Sequence, residues 1–454
     1  MDTNSKLNNW EDPHYVHPWH DFKKEANHFA LASKGEGIYI YDQNGSRHID
    51  GPGGMWCVNL GYGRTEIADA ISEQAKRLPY CSPWYYSNEP AANLAKKIAE
   101  RTPGDLNNVF FTTCGSTAID SALRFVQFYF NFLDQPQKKT VIARDKGYHG
   151  STYFAASISG KERDKRKLDT LSENVSFLSD VNPNLRDTNE TESQWCDKKV
   201  TELEEKILEL GAENVAAFVA EPILASGGVV IPPKGYHKRT KTICEKYEVL
   251  YISDEVVTGF GRLGHWFASE EVFDIIPDII TCAKGLTSGY IPMGATIISN
   301  KLMQNLQNTN YEEIIFSNGF TYSGHPVSAA AGLKVIEIME RENTLQHVQS
   351  ITPLFQERLK AIETKFSIVK EARGIGLLGC LEGNIGTATT EESKLKKDYD
   401  FGSLIDKAAE KRGLIIRPII NMCVFSPPLT ITKEEINILF DILEESLKEV
   451  ENTI

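Results

Sequence analysis

From about residue 65 onward, short unbroken apolar runs alternate with stretches of helical pattern. The runs are Val109-Phe110-Phe111, Thr140-Val141-Ile142-Ala143, Val215 to Ala220, Val249-Leu250-Tyr251-Ile252, Asp278-Ile279-Ile280-Thr281 and Ala295-Thr296-Ile297-Ile298. A strand with one wet face alternates apolar and polar residues. Runs without alternation need both faces covered, so the pattern predicts a mainly parallel sheet with helices on either side: an α/β fold. Open parallel sheets bind ligands outside the carboxyl ends of their strands. The polar residues just after each run are therefore the first candidates for function.

Around that frame, Gly37 to Asp42, the Asn44-Gly45 turn and Arg47 to Asp50 predict a hairpin. Residues 161–210 are charge-rich and read as a surface insertion carrying an amphipathic helix, Val200 to Leu210. Residues 328–365 are helical by pattern, and 404–453 mix helices with the apolar stretch Gly413 to Pro418. The polar N-terminal segment, 1–36, holds His14, Tyr15, His17, Trp19 and His20. These histidines lack regularly spaced carboxylate partners, so a packed arm is expected and no metal site.

The chain has 454 residues, enough for two or three structural units. Its net charge of -13 argues against affinity for nucleic acid or anionic membrane. No apolar run is long enough to span a bilayer, and Met1 to Leu7 lacks the apolar core of a signal peptide. None of the eight cysteines forms a C-x-x-C pair, so reduced thiols and a cytoplasmic setting are expected.

Asp254 and Lys284 each follow an apolar run, thirty residues apart. Pyridoxal phosphate needs such a pair: an amine for its aldehyde, and a carboxylate that keeps its ring nitrogen protonated as an electron sink. Surface ion pairs are the commoner use of these residues. Thr112-Thr113-Cys114-Gly115-Ser116-Thr117 follows a strand and opens a helix, which suits either a phosphate cradle or a plain N-cap. Tyr148 in Gly147-Tyr148-His149-Gly150 would stack on a flat ring or simply fill space. Glu221 also closes a run. Arg417 lies in an apolar stretch, where it would hold a substrate carboxylate or a structural ion pair. Cys114, Tyr148, Glu221, Asp254 and Lys284 are expected to converge at the strand ends.

These blocks resemble the class III aminotransferases. Asp254 to Arg262, Ala283 to Leu286 and Phe320 to Pro326 carry the likeness, which runs from about Gly37 to Leu429. Met55 to Arg64, Tyr148 to Thr152 and Ser426 to Leu429 are similar to the ω-amino acid or amine:pyruvate branch. The resemblance implies pyridoxal phosphate on the fold type I scaffold, with a large mainly parallel domain (56–329) and an α+β small domain (1–55 and 330–454). It implies that Lys284 bonds the cofactor and moves the proton, and that Asp254 holds the ring nitrogen. Tyr148 and Val256 would cover the ring faces, with His149 and Glu221 also in the cofactor site. Gly115, Ser116 and Thr117 would bind the phosphate, joined by Thr321 of a second subunit. Trp19, Trp56, Tyr85, Tyr148, Ser226 and Phe320 would line the substrate pocket, and Arg417 would grip the keto acid. The implied protein is a homodimer, or a tetramer of such dimers, that passes an amino group from a terminal amine (taurine, β-alanine or putrescine) to pyruvate. It departs from the common class pattern at Thr117, Ile119, Trp19 and Tyr85. An aminomutase on this scaffold and a cofactor-binding regulatory protein are the alternatives.

Overall fold

A computed structural model describes residues 14–19, 22–23, 31–384, 386 and 390–454; His20 lies outside them. Three short strands come first: β1 (Ala32–Glu36), β2 (Tyr39–Asp42) and β3 (Arg47–Asp50). Seven strands build the central sheet: β4 (Leu106–Thr112), β5 (Thr140–Arg144), β6 (Val175–Leu178), β7 (Val215–Ala220), β8 (Leu250–Asp254), β9 (Ile279–Cys282) and β10 (Gly294–Ser299). The chain ends with β11 (Val369–Ile375), β12 (Leu378–Gly383), β13 (Leu414–Ile415), β14 (Pro418–Ile419) and β15 (Met422–Phe425), set among long helices.

The central order is β4-β10-β9-β8-β7-β5-β6. Only β10 is reversed, running antiparallel to both neighbours. Six carboxyl ends therefore share one edge. Every residue of β7 and β8 is buried, which is why their sequences are apolar without alternation.

Residues 161–210 are not a surface insertion. They contribute β6, the parallel edge strand beside β5. Their helix, Glu192–Leu210, buries Trp195, Cys196, Val200, Leu203 and Ile207. A four-residue strand between charged segments gives almost no periodic signal, so tertiary pairing alone reveals it. The helical region 328–365 is two helices, Pro326–Arg341 and Thr344–Lys365. Asn343, at φ 51°, breaks them in the left-handed conformation that asparagine tolerates. The predicted hairpin is present, and the exposed β1 extends it.

The two ends of the chain meet where β3 pairs with β13 in parallel, Leu414 opposite Ile49. Ile38 and Ile49 share a core with Phe355, Phe401, Phe425 and Phe440 from the C-terminal part. Arg262, fully buried, ties this region to the central sheet. It donates to the carbonyls of Leu377 and Pro427 (3.1 and 2.6 Å) and to Asn59 Oδ1 (3.2 Å). The helix Glu391–Glu410 lies so close to the turn after β14 that a Cβ at Gly402 would overlap the Ile420 carbonyl. Gly402→Ala is expected to cost about 1–3 kcal/mol of stability by overpacking. Urea denaturation should show a lower midpoint with an unchanged slope.

Candidate active site

β8 and β9 are in register with Asp254 opposite Thr281. The Thr281 hydroxyl and the Val256 N–H each donate to Asp254 Oδ1 at 3.2 Å, while Oδ2 meets His149 Nδ1 at 2.7 Å. Successive strand residues face opposite ways. Glu255 thus turns to the back of the sheet, where it accepts from the N–H groups of Ala268 and Ser269 at 2.6 and 2.9 Å. Alternation alone decides which of two adjacent acids faces the site.

Lys284 stands two residues past β9, opening a short 3-10 turn. Its ammonium lies 4.8 Å from the centroid of the Trp56 ring. Burial pushes this amine below the ordinary lysine range, and Asp254 opposes the shift. A lowered pKa raises the share of uncharged, nucleophilic amine. Glu221, after β7, accepts from the N–H groups of Tyr148 (2.9 Å) and Ala225 (3.1 Å) and so fixes the Tyr148 loop. Burial raises the pKa of Glu221. The Tyr148 hydroxyl meets Ser151 Oγ at 2.9 Å.

The helix Gly115–Phe132 points its N-terminus at the same space. Its first-turn N–H groups have no intrahelical acceptor and carry the positive dipole end, which suits an anion. Thr117 plays a different part from its neighbours. Its Oγ1 accepts from Cys114 N at 3.0 Å and donates to Cys114 O at 3.0 Å, so the hydroxyl caps the helix and is absent from the cavity wall. Ser116 Oγ accepts from Ser151 N at 3.0 Å, tying cradle to tyrosine loop.

These groups surround one cavity of about 740 Å³. Trp19, Trp56, Cys114, Gly115, Ser116, Tyr148, His149, Glu221, Ser226, Asp254, Val256, Lys284 and Arg417 all line it. Ser226 Oγ is buried with no hydrogen-bond partner among the described residues. The Arg417 guanidinium lies 5.4 Å from the Trp19 ring centroid and has no carboxylate partner among the described residues. Among the described residues, then, no structural ion pair engages it. Trp19, Trp56, Lys284 and Ile420 share the wall and all have positive φ, between 42° and 63°. Such strain, about 1–3 kcal/mol per residue, gathers at functional sites.

Tyr85, Phe320 and Thr321 are not brought to this cavity by their own chain. Tyr85 and Thr321 are exposed. Conversely, Thr281, Lys161, Arg163, Asp164 and Tyr399 belong to the site or its support and were not singled out from sequence. The charge run that holds Lys161 to Asp164 looks like a solvated face. Thr281 would have been found by pairing the two runs in register.

A half-buried lysine and a buried carboxylate at neighbouring strand ends, sharing one cavity with an aromatic side chain and a helix N-terminus, fit a pyridoxal phosphate site of fold type I. The family model for aminotransferase class-III matches residues 22–447, and the chain belongs to that family. It is 38% identical to the putrescine–pyruvate aminotransferase of Pseudomonas aeruginosa over 98% of this chain and 97% of that one. It is 37% identical to the mitochondrial gamma-aminobutyrate transaminase 1 of Oryza sativa subsp. indica, over 94% and 83%. Among solved structures, an (S)-enantioselective omega-transaminase from Thermomicrobium roseum superposes with TM-score 0.90 at 32% identity over 96% of both chains. The omega transaminase of Pseudomonas jessenii does so with TM-score 0.90 at 30% identity over 97% of both.

Class III aminotransferases depend on pyridoxal phosphate, and the donors present fit it. The first turn at Gly115 and Ser116 offers N–H groups to a phosphate. A Cβ at Gly115 would press on Val256 at 3.0 Å, so glycine lets the helix N-terminus sit directly against the Val256 side chain. Asp254 would present its carboxylate to a ring nitrogen, and Lys284 its amine to an aldehyde. Bound there, the cofactor supplies an electron sink for a carbanion. His149 and Thr281 keep Asp254 oriented.

Removing the His149 ring leaves a buried carboxylate oxygen short of a partner, which costs about 1–3 kcal/mol. His149→Ala is therefore expected to weaken cofactor binding about tenfold to a hundredfold. Spectrophotometric titration of the apoprotein checks this.

Proposed function

We propose that this aminotransferase moves the amino group of an ω-amino acid or other terminal amine to pyruvate, leaving an aldehyde and alanine. The observation that carries the reading is Arg417: a cation in the cavity wall, close enough to the Lys284 amine to act on it, with no carboxylate partner among the described residues. A guanidinium fork matches a carboxylate in geometry and charge. Pyruvate supplies one, and the similarity to a putrescine–pyruvate aminotransferase supports that acceptor. With the cofactor bound, Lys284 would be the group that moves the proton at the substrate carbon. Asp254 holds the opposing charge, and Tyr148 and Val256 confine the ring.

The working form in this reading is a homodimer. Trp84, Tyr85 and Tyr86 are 86%, 80% and 69% exposed, an unusual cost in water for three adjacent aromatics. Tyr80 approaches Tyr322 edge-on at 6.2 Å, and Asn88 Nδ2 donates to the Gly324 carbonyl at 2.9 Å. Thr321 and Phe320 thus sit beside this aromatic face. A second copy covering it would bring Tyr85, Phe320 and Thr321 to the partner's cavity. Eight unpaired thiols support a reducing, cytoplasmic setting.

A donor panel assayed with pyruvate and again with 2-oxoglutarate tests the reading. Amine-dependent alanine formation is expected, and Lys284→Ala should abolish it. Borohydride reduction of the holoenzyme should label Lys284. A label on Lys161, the other lysine of the cavity wall, would overturn the assignment. Failure to need any keto acid would point to an aminomutase instead.

Arg417→Ala is expected to raise the KM for pyruvate about tenfold to a hundredfold, the loss of one charge-assisted recognition. The first half-reaction with an uncharged arylalkylamine should change far less. Stopped-flow measurement of each half-reaction separates the two.

A further inference from the structure

The cavity has a second cationic wall, away from Arg417 and drawn from a segment that looks like ordinary surface. Gly160 forms a parallel bridge with Asp145. Its N–H donates to the Gly147 carbonyl at 2.9 Å, and its own carbonyl accepts from Lys146 N at 3.0 Å. A Cβ at Gly160 would overlap the Arg144 carbonyl, so the approach requires glycine. This stitching pins the next residue, Lys161, against the tyrosine loop, with its ammonium 5.6 Å from the Tyr148 ring centroid. Lys161 has no carboxylate within ion-pair distance among the described residues. Arg163 lines the same wall, pairs with Asp164 at 2.8 Å and interacts with Tyr399.

Beyond the groups at the cavity floor, the wall thus carries Lys161, Arg163 and Arg417 against a single acid among the described residues, Asp164. Asp164 is already engaged by Arg163. A donor whose far end is an ammonium would meet repulsion here, and one whose far end is an acid would meet two cations. Burial also pushes Lys161 down to about 8, even against the pull of Asp164 and Glu221. A bound acid would relieve that cost.

We propose that Lys161 and Arg163 form a subsite for the terminal acid group of the amine donor, separate from the Arg417 station for the keto acid. The preferred donors are then ω-amino carboxylates or sulfonates, and not diamines. This rests on the aminotransferase reading above.

Three four-carbon donors test it in the holoenzyme's first half-reaction, read by the cofactor absorbance: 4-aminobutyrate, butylamine and putrescine. Wild type should favour 4-aminobutyrate. Lys161→Met and Arg163→Met should each weaken its apparent binding about tenfold to a hundredfold. Butylamine should stay within about twofold and the pyruvate half-reaction should be unaffected, with Lys161→Arg restoring most of the loss. Equal losses for butylamine, or damage to the pyruvate step, would overturn the subsite by making these residues mere support. A wild-type preference for putrescine that Asp164→Asn destroys would overturn it in favour of Asp164. If no donor reacts, it is the aminotransferase reading that fails. Butanoate binding to Arg417→Ala holoenzyme then decides the subsite alone: loss on adding Lys161→Met supports it, and unchanged binding overturns it.

Discussion

Holding ionisable groups away from water at the sheet edge is the constraint that organises this protein. An isolated buried carboxylate or ammonium is costly unless paired or hydrogen-bonded. Asp254 is accommodated because three donors from three places reach it: Thr281 from the neighbouring strand, the Val256 N–H just beyond its own, and His149 from the loop after β5. Glu221 is held by the backbone N–H groups of Tyr148 and Ala225. Each requirement fixes one loop to another, so the charges that the chemistry uses also determine how the loops are arranged. Lys284, by contrast, is left with an aromatic ring and a lowered pKa, the state in which an amine is reactive.

The cavity wall stores strain in the same region. Trp19, Trp56, Lys284 and Ile420 come from four separate segments, yet all are left-handed at the backbone. Such conformations persist when surrounding packing over-determines them. That packing includes Arg262, which joins the central sheet to the segments around Leu377 and Pro427, and Gly402, which lets a helix close on the Ile420 turn. The C-terminal part of the chain therefore acts on the site by holding one wall of it, from Arg417 to Ile420.

Much of this was legible beforehand. Unbroken apolar runs announce strands covered on both faces, and polar residues that close them must sit at a common edge once the strands are parallel. Asp254, Lys284, Glu221 and Tyr148 follow from that reasoning, and the motif around them carries the family. Thr117 shows its limit. The sequence places it at a helix N-terminus, but its hydroxyl turns back to Cys114 and not outward.

What the sequence determined by itself is local and periodic: which runs are strands, where they end, and which residue types are available there. Tertiary structure decided what has no local signal. β6 is too short to show a period, and becomes a strand by pairing with β5. Lys161 and Arg163 sit in a charge run indistinguishable from solvated surface until Gly160 stitches it to the tyrosine loop. Asp254 and Thr281 are 27 residues apart and meet because β8 and β9 are in register. In each case the deciding contact is long-range, and its energy appears only when the chain has folded.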